Sequence, residues 1–418
     1  MAIRQLVEAK ARAAREAGRV LGLCPTRVKD DALVQMARGL DEKVETLIEA
    51  NRADLERARA RGHTRAFLDR LTLTEGRIEE MAQGLRQIAQ LPDPVGKVVD
   101  AWRRPNGLEI SRVRVPLGVI GFIYESRPNV TADAAGLAVK SGNAVVLRGG
   151  SEAIESNSMI VSVLSKALEK SGVPPEALQF IDTEDREAVM ALLTLDRYVD
   201  LIIPRGGEEF VRLVTKEATV PVLKHDKGLC HVYVDEDADL GMAVEIAVNA
   251  KAQRPSVCNA METLLVHQAI AERFLPVAVK RLEEAGVELR GCPRTCALVP
   301  GARQATVEDW DAEYLDLILS VRVVDSIEDA VGHIRQHGSG LAEAIVTSHY
   351  GRARRFTREV DAAAVLVNAS TRLVDGGQFG MGAEMGISTS KLHARGPVGV
   401  EQLTTTKFVV IGDGQVRE

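Results

Sequence analysis

Residues 116–150, PLGVIGFIYESRPNVTADAAGLAVKSGNAVVLRGG, decide the fold class of this chain. The stretch opens with an aliphatic strand, continues into a helix of small residues that ends at Gly142, and closes with a second strand and a glycine turn. A strand, a helix and a strand in series form a βαβ unit, whose strands lie parallel in one sheet. The sequence therefore predicts an α/β fold built on parallel sheets.

The same alternation continues along the chain. The first series has further short aliphatic strands at 178–181, 199–207, 221–224 and 231–234. A second series begins near residue 235, with strands at 263–267, 296–299, 315–324, 343–346 and 364–368. Two such series predict two doubly wound parallel-sheet domains. The closing TTTKFVVIGDG (404–414) predicts a last strand that pairs elsewhere in the chain or across a subunit interface.

The region before residue 105 is charged and helical. Between residues 31 and 50, apolar residues recur at steps of three and four along one stripe, which comprises Leu33, Met36, Leu40, Val44, Leu47 and Ile48. Similar stripes continue to about residue 92, where LPDPVG (91–96) breaks them with two prolines and a glycine. The pattern leaves open an independent helical bundle or a helical layer packed on a larger domain.

Bulk composition narrows the class of protein. A length of 418 residues predicts two or three domains, and 45% apolar with 27% charged residues is typical of a globular protein. The net charge of −6, without a long basic block, argues against nucleic acid as a partner. The sequence contains neither a secretory leader nor an apolar stretch of the ~20 residues that cross a bilayer. Its five cysteines form no CxxC pair and no zinc spacing with histidine, so we expect a cytoplasmic protein with reduced thiols and no metal.

Cys258 is the first candidate for a catalytic residue. In NAKAQRPSVCNAMETLLVH (249–267) it lies between a helix that Pro255 ends and a strand that begins at residue 263. A side chain on such a loop can face a cleft. Arg254, Ser256 and Asn259 are the kind of neighbours that lower a thiol pKa from ~8.5. An inert core cysteine is the competing interpretation.

Two glycine turns follow predicted strands, although the chain contains no GxGxxG motif. They are LRGGSEA (147–153) and IPRGGEEF (203–210). Nucleotides bind at the carboxyl ends of parallel strands, so Arg148 can pair with a ribose phosphate and the amides of Gly206 and Gly207 with a pyrophosphate. Glycines that serve only tight turns explain the two segments equally well.

Two further segments are candidate binding loops. Asn129 follows the strand in YESRPNVTADAAG (124–136), where its amide can donate to a developing oxyanion or can form an Asx turn. QFGMGAEMGISTSKLHARGPVG (378–399) places glycines among Ser388, Lys391 and other polar residues. This composition indicates a binding loop or a mobile surface connection.

Together these segments resemble the aldehyde dehydrogenase superfamily and, within it, the family that reduces γ-glutamyl phosphate. The resemblance covers nearly the whole chain. It is carried by residues 121–153, by IPRGG (203–207), by VPVLKHDKGLCHVYVD (220–235), by AKAQRPSVCNAMETLLVH (250–267) and by EQLTTTKF (401–408). It implies an aldehyde dehydrogenase-like fold with two doubly wound domains and a small β oligomerisation element.

The resemblance also implies residue roles. Cys258 is the nucleophile and Asn129 the oxyanion-binding amide. NADPH is the cofactor, Arg148 lies where a lysine contacts the adenosine ribose, and Glu313 lies where a glutamate binds the nicotinamide ribose. The expected cofactor-binding residues are Arg148, Gly149, Ser151, Glu152, Pro204, Gly206, Gly207 and Glu313. The expected substrate-binding residues are Glu125, Arg127, Lys224, His225, Arg254, Ser388 and Lys391.

The chain departs from the pattern of the superfamily at two places. KHDKG (224–228) stands where aldehyde-oxidising relatives have ELGG, so their hydrolytic glutamate falls near His225. Without that base, a thioester is not hydrolysed, which suits a reductase of acyl phosphates. In GSGLAEAI (338–345), Leu341 and Ala342 stand where relatives carry a histidine and a polar residue, which puts a substrate role for this loop in doubt.

The expected activity is reduction of L-glutamyl 5-phosphate to L-glutamate 5-semialdehyde and phosphate through a thioester on Cys258, the second step of proline biosynthesis. The rivals are an aldehyde-oxidising or CoA-acylating dehydrogenase on the same scaffold, a non-redox cysteine acyltransferase or hydrolase, and a catalytically silent scaffold protein. We expect a homodimer or higher homo-oligomer that meets the upstream glutamate kinase transiently.

The expected domains follow the same resemblance. Residues 1–106 and 117–230 form the cofactor-binding domain, with the N-terminal helices packed on it, and residues 231–383 form the catalytic domain. Residues 107–116 and 396–418 are oligomerisation strands, and residues 384–395 form a linking and binding loop.

Overall fold

The computed structural model describes residues 3–125, 127–224 and 227–417, and the chain folds into two compact units. The first unit comprises residues 1–224, 380–386 and 398–418. The second comprises residues 225–379 and 387–397. The second unit thus begins six residues before the boundary expected at residue 231, and the closing strand belongs to the first unit.

Five helices open the first unit, and three of them bury a mainly apolar stripe. They are α1 (Ile3–Leu21), α2 (Thr26–Glu42), α3 (Val44–Ala60), α4 (Arg65–Leu71) and α5 (Glu75–Gln90). The stripe expected over residues 31–50 is divided between α2 and α3, because the chain leaves helical geometry at Lys43. Helices α1, α2 and α5 pack on the strands and helices that follow in the same unit. The N-terminal region is therefore a helical layer and not an independent bundle.

The predicted βαβ stretch forms the centre of the first unit. Its parallel sheet has the order β5-β4-β3-β6, with β3 (Val119–Tyr124), β4 (Ala144–Arg148), β5 (Leu178–Phe180) and β6 (Leu201–Arg205). Strands β3 and β4 are buried along their whole length, as their unbroken aliphatic runs require in a sheet covered on both faces. Ile123 pairs with Arg148 and Tyr124 with Arg205, so the carboxyl ends of three strands meet at one edge.

Four more helices cover this sheet: α6 (Asn129–Lys140), α7 (Ile154–Lys170), α8 (Glu187–Leu193) and α9 (Glu208–Glu217). Helix α6 begins at Asn129 and packs tightly on α5. A Cβ atom added at Gly136 would lie 2.6 Å from Leu85 and 3.0 Å from Ile88. Lys140, at the end of α6, binds Asp30 and the Ala89 carbonyl oxygen. These contacts fix the helix on which Asn129 lies.

A three-stranded antiparallel sheet completes the first unit, in the order β1-β2-β16. Its strands are β1 (Val98–Arg103), β2 (Glu109–Pro116) and β16 (Thr404–Ile411). The predicted last strand therefore pairs within the chain, from Thr404 opposite Pro116 to Ile411 opposite Glu109. Strand β1 was not predicted, since all six of its residues are exposed and show no buried face.

The second unit is a parallel sheet of seven strands in the order β10-β9-β11-β8-β7-β12-β13. The strands are β7 (Cys230–Val234), β8 (Met261–His267), β9 (Glu288–Gly291), β10 (Arg303–Gln304), β11 (Ile318–Val324), β12 (Ala342–Val346) and β13 (Ala364–Val367). Its helices are α10 (Leu240–Ala252), α11 (Gln268–Glu284), α12 (Pro293–Leu298), α13 (Ile327–His337) and α14 (Tyr350–Glu359). A short hairpin of β14 (Ile387–Ser388) and β15 (Gly396–Pro397) is added to it. Both doubly wound domains predicted from the sequence are confirmed.

Two predicted strands are wrong. Residues 296–299 were expected to form a strand, but residues up to Leu298 belong to α12, because Pro293 occupies the first turn and pre-sets helical geometry. Residues 221–224 form only an isolated bridge between Val222 and Ile202, since Pro221 has no amide to donate to a ladder. Within the described ranges, no helix has the length and apolarity of a membrane span.

Candidate active site

The candidate nucleotide-binding residues of the first unit lie at the carboxyl edge of its parallel sheet. Glu125 follows β3, Arg148 ends β4, and Gly206 and Gly207 follow β6. The Gly207 amide, which caps α9, donates to Glu125 Oε1 at 3.2 Å. A Cβ atom at Gly206 would lie 2.8 Å from the same oxygen and 2.9 Å from Phe210 Cδ1, so a larger residue there would displace these two side chains. The structure thus brings Glu125, predicted to bind substrate, against the turn predicted to bind pyrophosphate.

At this edge of the sheet, Arg148 and Asn157 each carry a hydrogen-bond donor that has no partner within the described residues. The Arg148 guanidinium donates to the Gly149 carbonyl oxygen and, at 3.4 Å, to that of Glu184. Its Nε and the Nδ2 of Asn157 are buried without a hydrogen-bond partner within the described residues. Asn157 lies so close to Gly149 that a Cβ atom there would be 2.2 Å from Nδ2. Donors beside closely approachable backbone suit the phosphates and ribose of a dinucleotide, so these residues fit a nicotinamide cofactor.

The remaining predicted cofactor residues of this unit lie nearby in the sequence. Ser151 and Glu152 form a short 3₁₀ turn after β4, and Pro204 is buried within β6.

Asn129 is exposed at the start of α6, and its side chain hydrogen-bonds to Asp133 one turn later. Burial raises the pKa of Asp133 to about 6, and this hydrogen bond opposes the rise. Asp133 is therefore placed to orient the amide that the sequence proposes as an oxyanion donor.

Cys258 lies in the second unit, between α10 and β8, and is half-buried. Gly228 contacts its backbone directly: a Cβ atom at Gly228 would lie 2.1 Å from the Cys258 carbonyl oxygen and 2.5 Å from its Cα. The Gly228 amide donates to Glu313 Oε1 at 3.0 Å. The structure thus joins the predicted nucleophile to Glu313, predicted to bind the nicotinamide ribose, through a glycine that the sequence did not single out.

An apolar cluster lies against Cys258. It comprises Cys230, Leu341, Ala342, Val374 and Ile387. The Cys230 thiol, which is fully buried, donates to the Cys258 carbonyl oxygen at 3.4 Å. Burial raises the pKa of Cys230 well above its ordinary value, so it stays a thiol. Leu341 and Ala342, the two residues singled out in GSGLAEAI, therefore contribute apolar surface against the predicted nucleophile.

A buried ion pair lies behind the loop that carries Glu313. Lys251 Nζ binds Glu262 Oε2 at 2.6 Å, and both side chains are almost completely buried. Burial raises the pKa of Glu262 to about 7 and lowers that of Lys251. Glu262 Oε1 also accepts the Leu315 amide at 3.3 Å, which holds a non-glycine residue at a φ of 53°. The pair therefore stabilises a strained turn two residues after Glu313.

Arg372 is a second functional candidate that the sequence did not reveal. Its Nη1 donates to the Asn259 side chain, and its Nε donates to Gln253 Oε1 at 3.0 Å. Asn259 follows Cys258 directly, and its Nδ2 donates to the Val374 carbonyl oxygen at 2.8 Å. Arg372 is 114 positions from the nucleophile, so no local pattern connects the two.

The other predicted substrate residues are not all brought to Cys258. Lys391 pairs with Asp361, which also binds Arg395 at 2.6 Å. Ser388 is buried in β14. Arg254 is exposed on the segment that leads to Cys258. Arg127 and Lys224 belong to the first unit, and His225 lies outside the described residues. Their roles stay predictions.

Comparison with known proteins first shows the protein family to which the chain belongs. The model of the aldehyde dehydrogenase family matches residues 2–310, and the chain belongs to this family.

Individual relatives within this family are similar to the chain over almost its whole length. The chain is 57% identical over 412 residues to the gamma-glutamyl phosphate reductase of Moorella thermoacetica, with 99% of both chains covered. The crystal structure of gamma-glutamyl phosphate reductase from Thermotoga maritima superposes with a TM-score of 0.97 at 51% identity, over 99% of this chain and 100% of that one. A glyceraldehyde-3-phosphate dehydrogenase from Methanocaldococcus jannaschii, complexed with NADP, shares the fold at 17% identity and a TM-score of 0.68, over 98% of this chain and 95% of its own.

Proposed function

We propose that this chain reduces L-glutamyl 5-phosphate to L-glutamate 5-semialdehyde and phosphate with NADPH, the second step of proline biosynthesis. The observation that carries the proposal is the identity of 57% over 99% of both chains with a gamma-glutamyl phosphate reductase. The aligned 412 residues span both units, so the alignment covers the glycine turns of the first unit and the Cys258 segment of the second.

Cys258 is the nucleophile of the proposed reaction. Its thiolate attacks the γ-carbonyl carbon, an S–C bond forms, and the C–O bond to phosphate breaks with its electron pair on the phosphate oxygen. The product of this step is a thioester on Cys258. The Asn129 amide donates a hydrogen bond to the tetrahedral oxyanion, and Asp133 holds that amide through its side-chain hydrogen bond.

The residues proposed to hold the cofactor are Arg148, Gly149, Ser151, Glu152, Pro204, Gly206, Gly207 and Glu313. When bound, the nicotinamide supplies the hydride that converts the thioester to the aldehyde. The unsatisfied donors of Arg148 and Asn157 support a nucleotide at the sheet edge. The preference for NADPH over NADH rests on Arg148, whose charge suits an additional ribose phosphate.

The surroundings of Cys258 favour reduction over hydrolysis. Leu341, Ala342 and Val374 present apolar surface that offers water no hydrogen bonds. KHDKG (224–228) supplies no glutamate that activates water. This combination supports a reductase of acyl phosphates over an aldehyde-oxidising enzyme of the same fold.

A homo-oligomer is also proposed. The antiparallel sheet of the first unit exposes apolar side chains that a solvent-facing sheet does not need, among them Phe408, Val410 and Ile411. Trp102 packs edge-on against Phe408 on the same sheet. A second copy of the chain is the partner proposed for this surface.

The test is the reverse reaction. The wild-type chain is expected to reduce NADP⁺ with glutamate 5-semialdehyde only when inorganic phosphate is present, and Cys258→Ala is expected to abolish this turnover without changing the circular dichroism spectrum. Phosphate-independent reduction with coenzyme A as acceptor would identify a CoA-acylating enzyme, and reduction with water as acceptor an aldehyde-oxidising one. Wild-type turnover by Cys258→Ala would exclude Cys258 as the nucleophile.

A further inference from the structure

Two arginines flank the proposed nucleophile without a carboxylate partner. Arg372 donates to the side-chain oxygens of Gln253 and Asn259, and both of these acceptors are neutral amides. Gln253 precedes Arg254, and Asn259 follows Cys258. The guanidinium of Arg372 therefore bridges the two ends of the segment 254–258. It uses Nε and Nη1 for this purpose, and no hydrogen bond of Nη2 occurs within the described residues.

The positive charge of this pair is not neutralised locally. Across residues 3–125, 127–224 and 227–417, neither Arg254 nor Arg372 forms an ion pair with a carboxylate, and Arg254 makes no side-chain hydrogen bond. Arg372 hydrogen-bonds to Gln253, the residue before Arg254, and burial together with repulsion by Arg254 lowers the pKa of Arg372. Asp375 attracts Arg372 from a distance, but its Oδ1 accepts the amides of Gly377 and Gln378 at 2.9 and 3.3 Å.

Such an arrangement has a physical consequence. A half-buried guanidinium loses hydration, and a second one beside it adds repulsion, so the pair is unfavourable until an anion binds. Guanidinium groups bind phosphate through parallel N–H···O bonds, and two of them match a dianion. Most arginines of the second unit are paired with a carboxylate, as Arg352 is with Asp235 at 2.6 Å. Arg254 and Arg372, next to Cys258 in the sequence and in its hydrogen-bonded surroundings, are among the arginines of this unit that form no ion pair with a described carboxylate.

We propose that Arg254 and Arg372 form the subsite for the phosphate group of the acyl phosphate. The proposal deepens the function proposed above and rests on it. The phosphate is bonded to the carbon that Cys258 attacks, whereas the substrate's α-carboxylate is separated from that carbon by two methylene groups and Cα. Anion-binding groups next to the sulfur therefore meet the phosphate first.

The subsite acts in both directions of the reaction. In the forward direction the C–O bond breaks and its electron pair moves to the phosphate, whose growing negative charge the two arginines stabilise. In the reverse direction they hold inorganic phosphate while one of its oxygens attacks the thioester carbonyl, and the electron pair of the S–C bond returns to Cys258. Neither arginine gives up a proton in either step.

The test separates phosphate binding from the chemistry of the thioester. In the reverse reaction, formation of the thioester reduces one NADP⁺ per active site before phosphate is needed. Arg254→Met and Arg372→Met are therefore expected to keep the full amplitude of the NADPH burst, at a lower rate because a positive charge near the thiolate is lost, when enzyme, NADP⁺ and semialdehyde are mixed without phosphate. Their KM for inorganic phosphate is expected to rise about 10- to 100-fold, the range for the loss of a charged hydrogen bond. Arg372→Lys is expected to recover part of this loss.

A binding measurement supports the kinetics. Inorganic phosphate is expected to protect Cys258 of the wild type against iodoacetamide, and this protection is expected to be lost in Arg254→Met. Arg254 makes no contact that folding requires, so this variant remains informative if Arg372→Met does not fold. Arg281→Met is the matched control, because Arg281 pairs with Glu245 on an exposed helix face.

The outcomes are distinct. An unchanged KM for phosphate in Arg254→Met with a normal burst overturns the subsite. A raised KM for the semialdehyde alone assigns the arginines to the α-carboxylate and also overturns it. Absence of a burst in the wild type overturns the proposed function instead.

Discussion

Substituting Gly228 by alanine tests whether the backbone behind Cys258 positions the sulfur. The added Cβ atom would lie 2.1 Å from the Cys258 carbonyl oxygen, 2.5 Å from its Cα and 2.7 Å from its carbonyl carbon. Contacts of this kind relax to at least about 3.4 Å. The two segments must therefore separate by roughly 1 Å. Gly228 does not have a positive φ, so alanine introduces a steric conflict and no backbone strain.

The expected effect follows from this displacement. A misplacement of about 1 Å at a reacting group reduces the rate about 10²-fold. Gly228→Ala is therefore expected to lower kcat of the phosphate-dependent reduction of NADP⁺ by about two orders of magnitude. The KM for phosphate should change less than kcat, because both arginines of the proposed subsite are retained.

Gly332→Ala is the matched control, since a Cβ atom at Gly332 on α13 has no neighbour within 4 Å. It adds the same methyl group to the same unit and should keep wild-type kcat. Initial rates and the rate of Cys258 alkylation by iodoacetamide measure the effect on both variants. Wild-type kcat in a folded Gly228→Ala would refute the idea that Gly228 positions the nucleophile.

Two further substitutions test the first unit. Asn129→Ala is expected to lower kcat about 10²- to 10³-fold, the usual loss for one oxyanion donor, with an unchanged melting temperature; a loss below 10-fold would exclude this role. Asp133→Asn is expected to melt at a higher temperature than the wild type at pH 8 and at the same temperature at pH 4. Burial raises the pKa of Asp133 from 3.8 to about 6, so its stabilising proton is fully retained below pH about 4 and is lost as the pH rises through 6, at a cost of at most about 3 kcal/mol. Calorimetry at the two pH values measures this difference, and equal melting temperatures at pH 8 would contradict it.

The fold was predictable wherever burial determines the sequence. Strands β3 and β4 are covered on both faces, so they appear in the sequence as unbroken aliphatic runs. Strand β1 has no buried face and gives no such signal. Residues 296–299 have the composition of a buried strand, but the helix that starts at Pro293 includes three of them, and short apolar runs do not distinguish the two structures.

The candidate site was predictable only in its local part. Cys258, Arg254 and Asn259 are neighbours in the sequence, and their residue types already indicate a thiolate site. Gly228 and Arg372 reach Cys258 from positions 30 residues before it and 114 residues after it. Each of them depends on the order of strands in the second sheet, which the sequence does not specify residue by residue.

Two kinds of residue surround Cys258: apolar side chains, which do not bind water, and arginines, which are proposed to bind phosphate. A thioester there can be reduced, attacked by phosphate or attacked by water. Apolar residues such as Leu341 and Val374 offer water no hydrogen bonds, whereas Arg254 and Arg372 offer strong ones to a phosphate dianion. The sequence near residue 225 offers no glutamate that could activate water, and Leu341 and Ala342 belong to the apolar cluster against Cys258. In the proposed mechanism, selection between phosphate and water therefore depends on charge beside the sulfur and on apolar surface against its backbone, and not on one catalytic base.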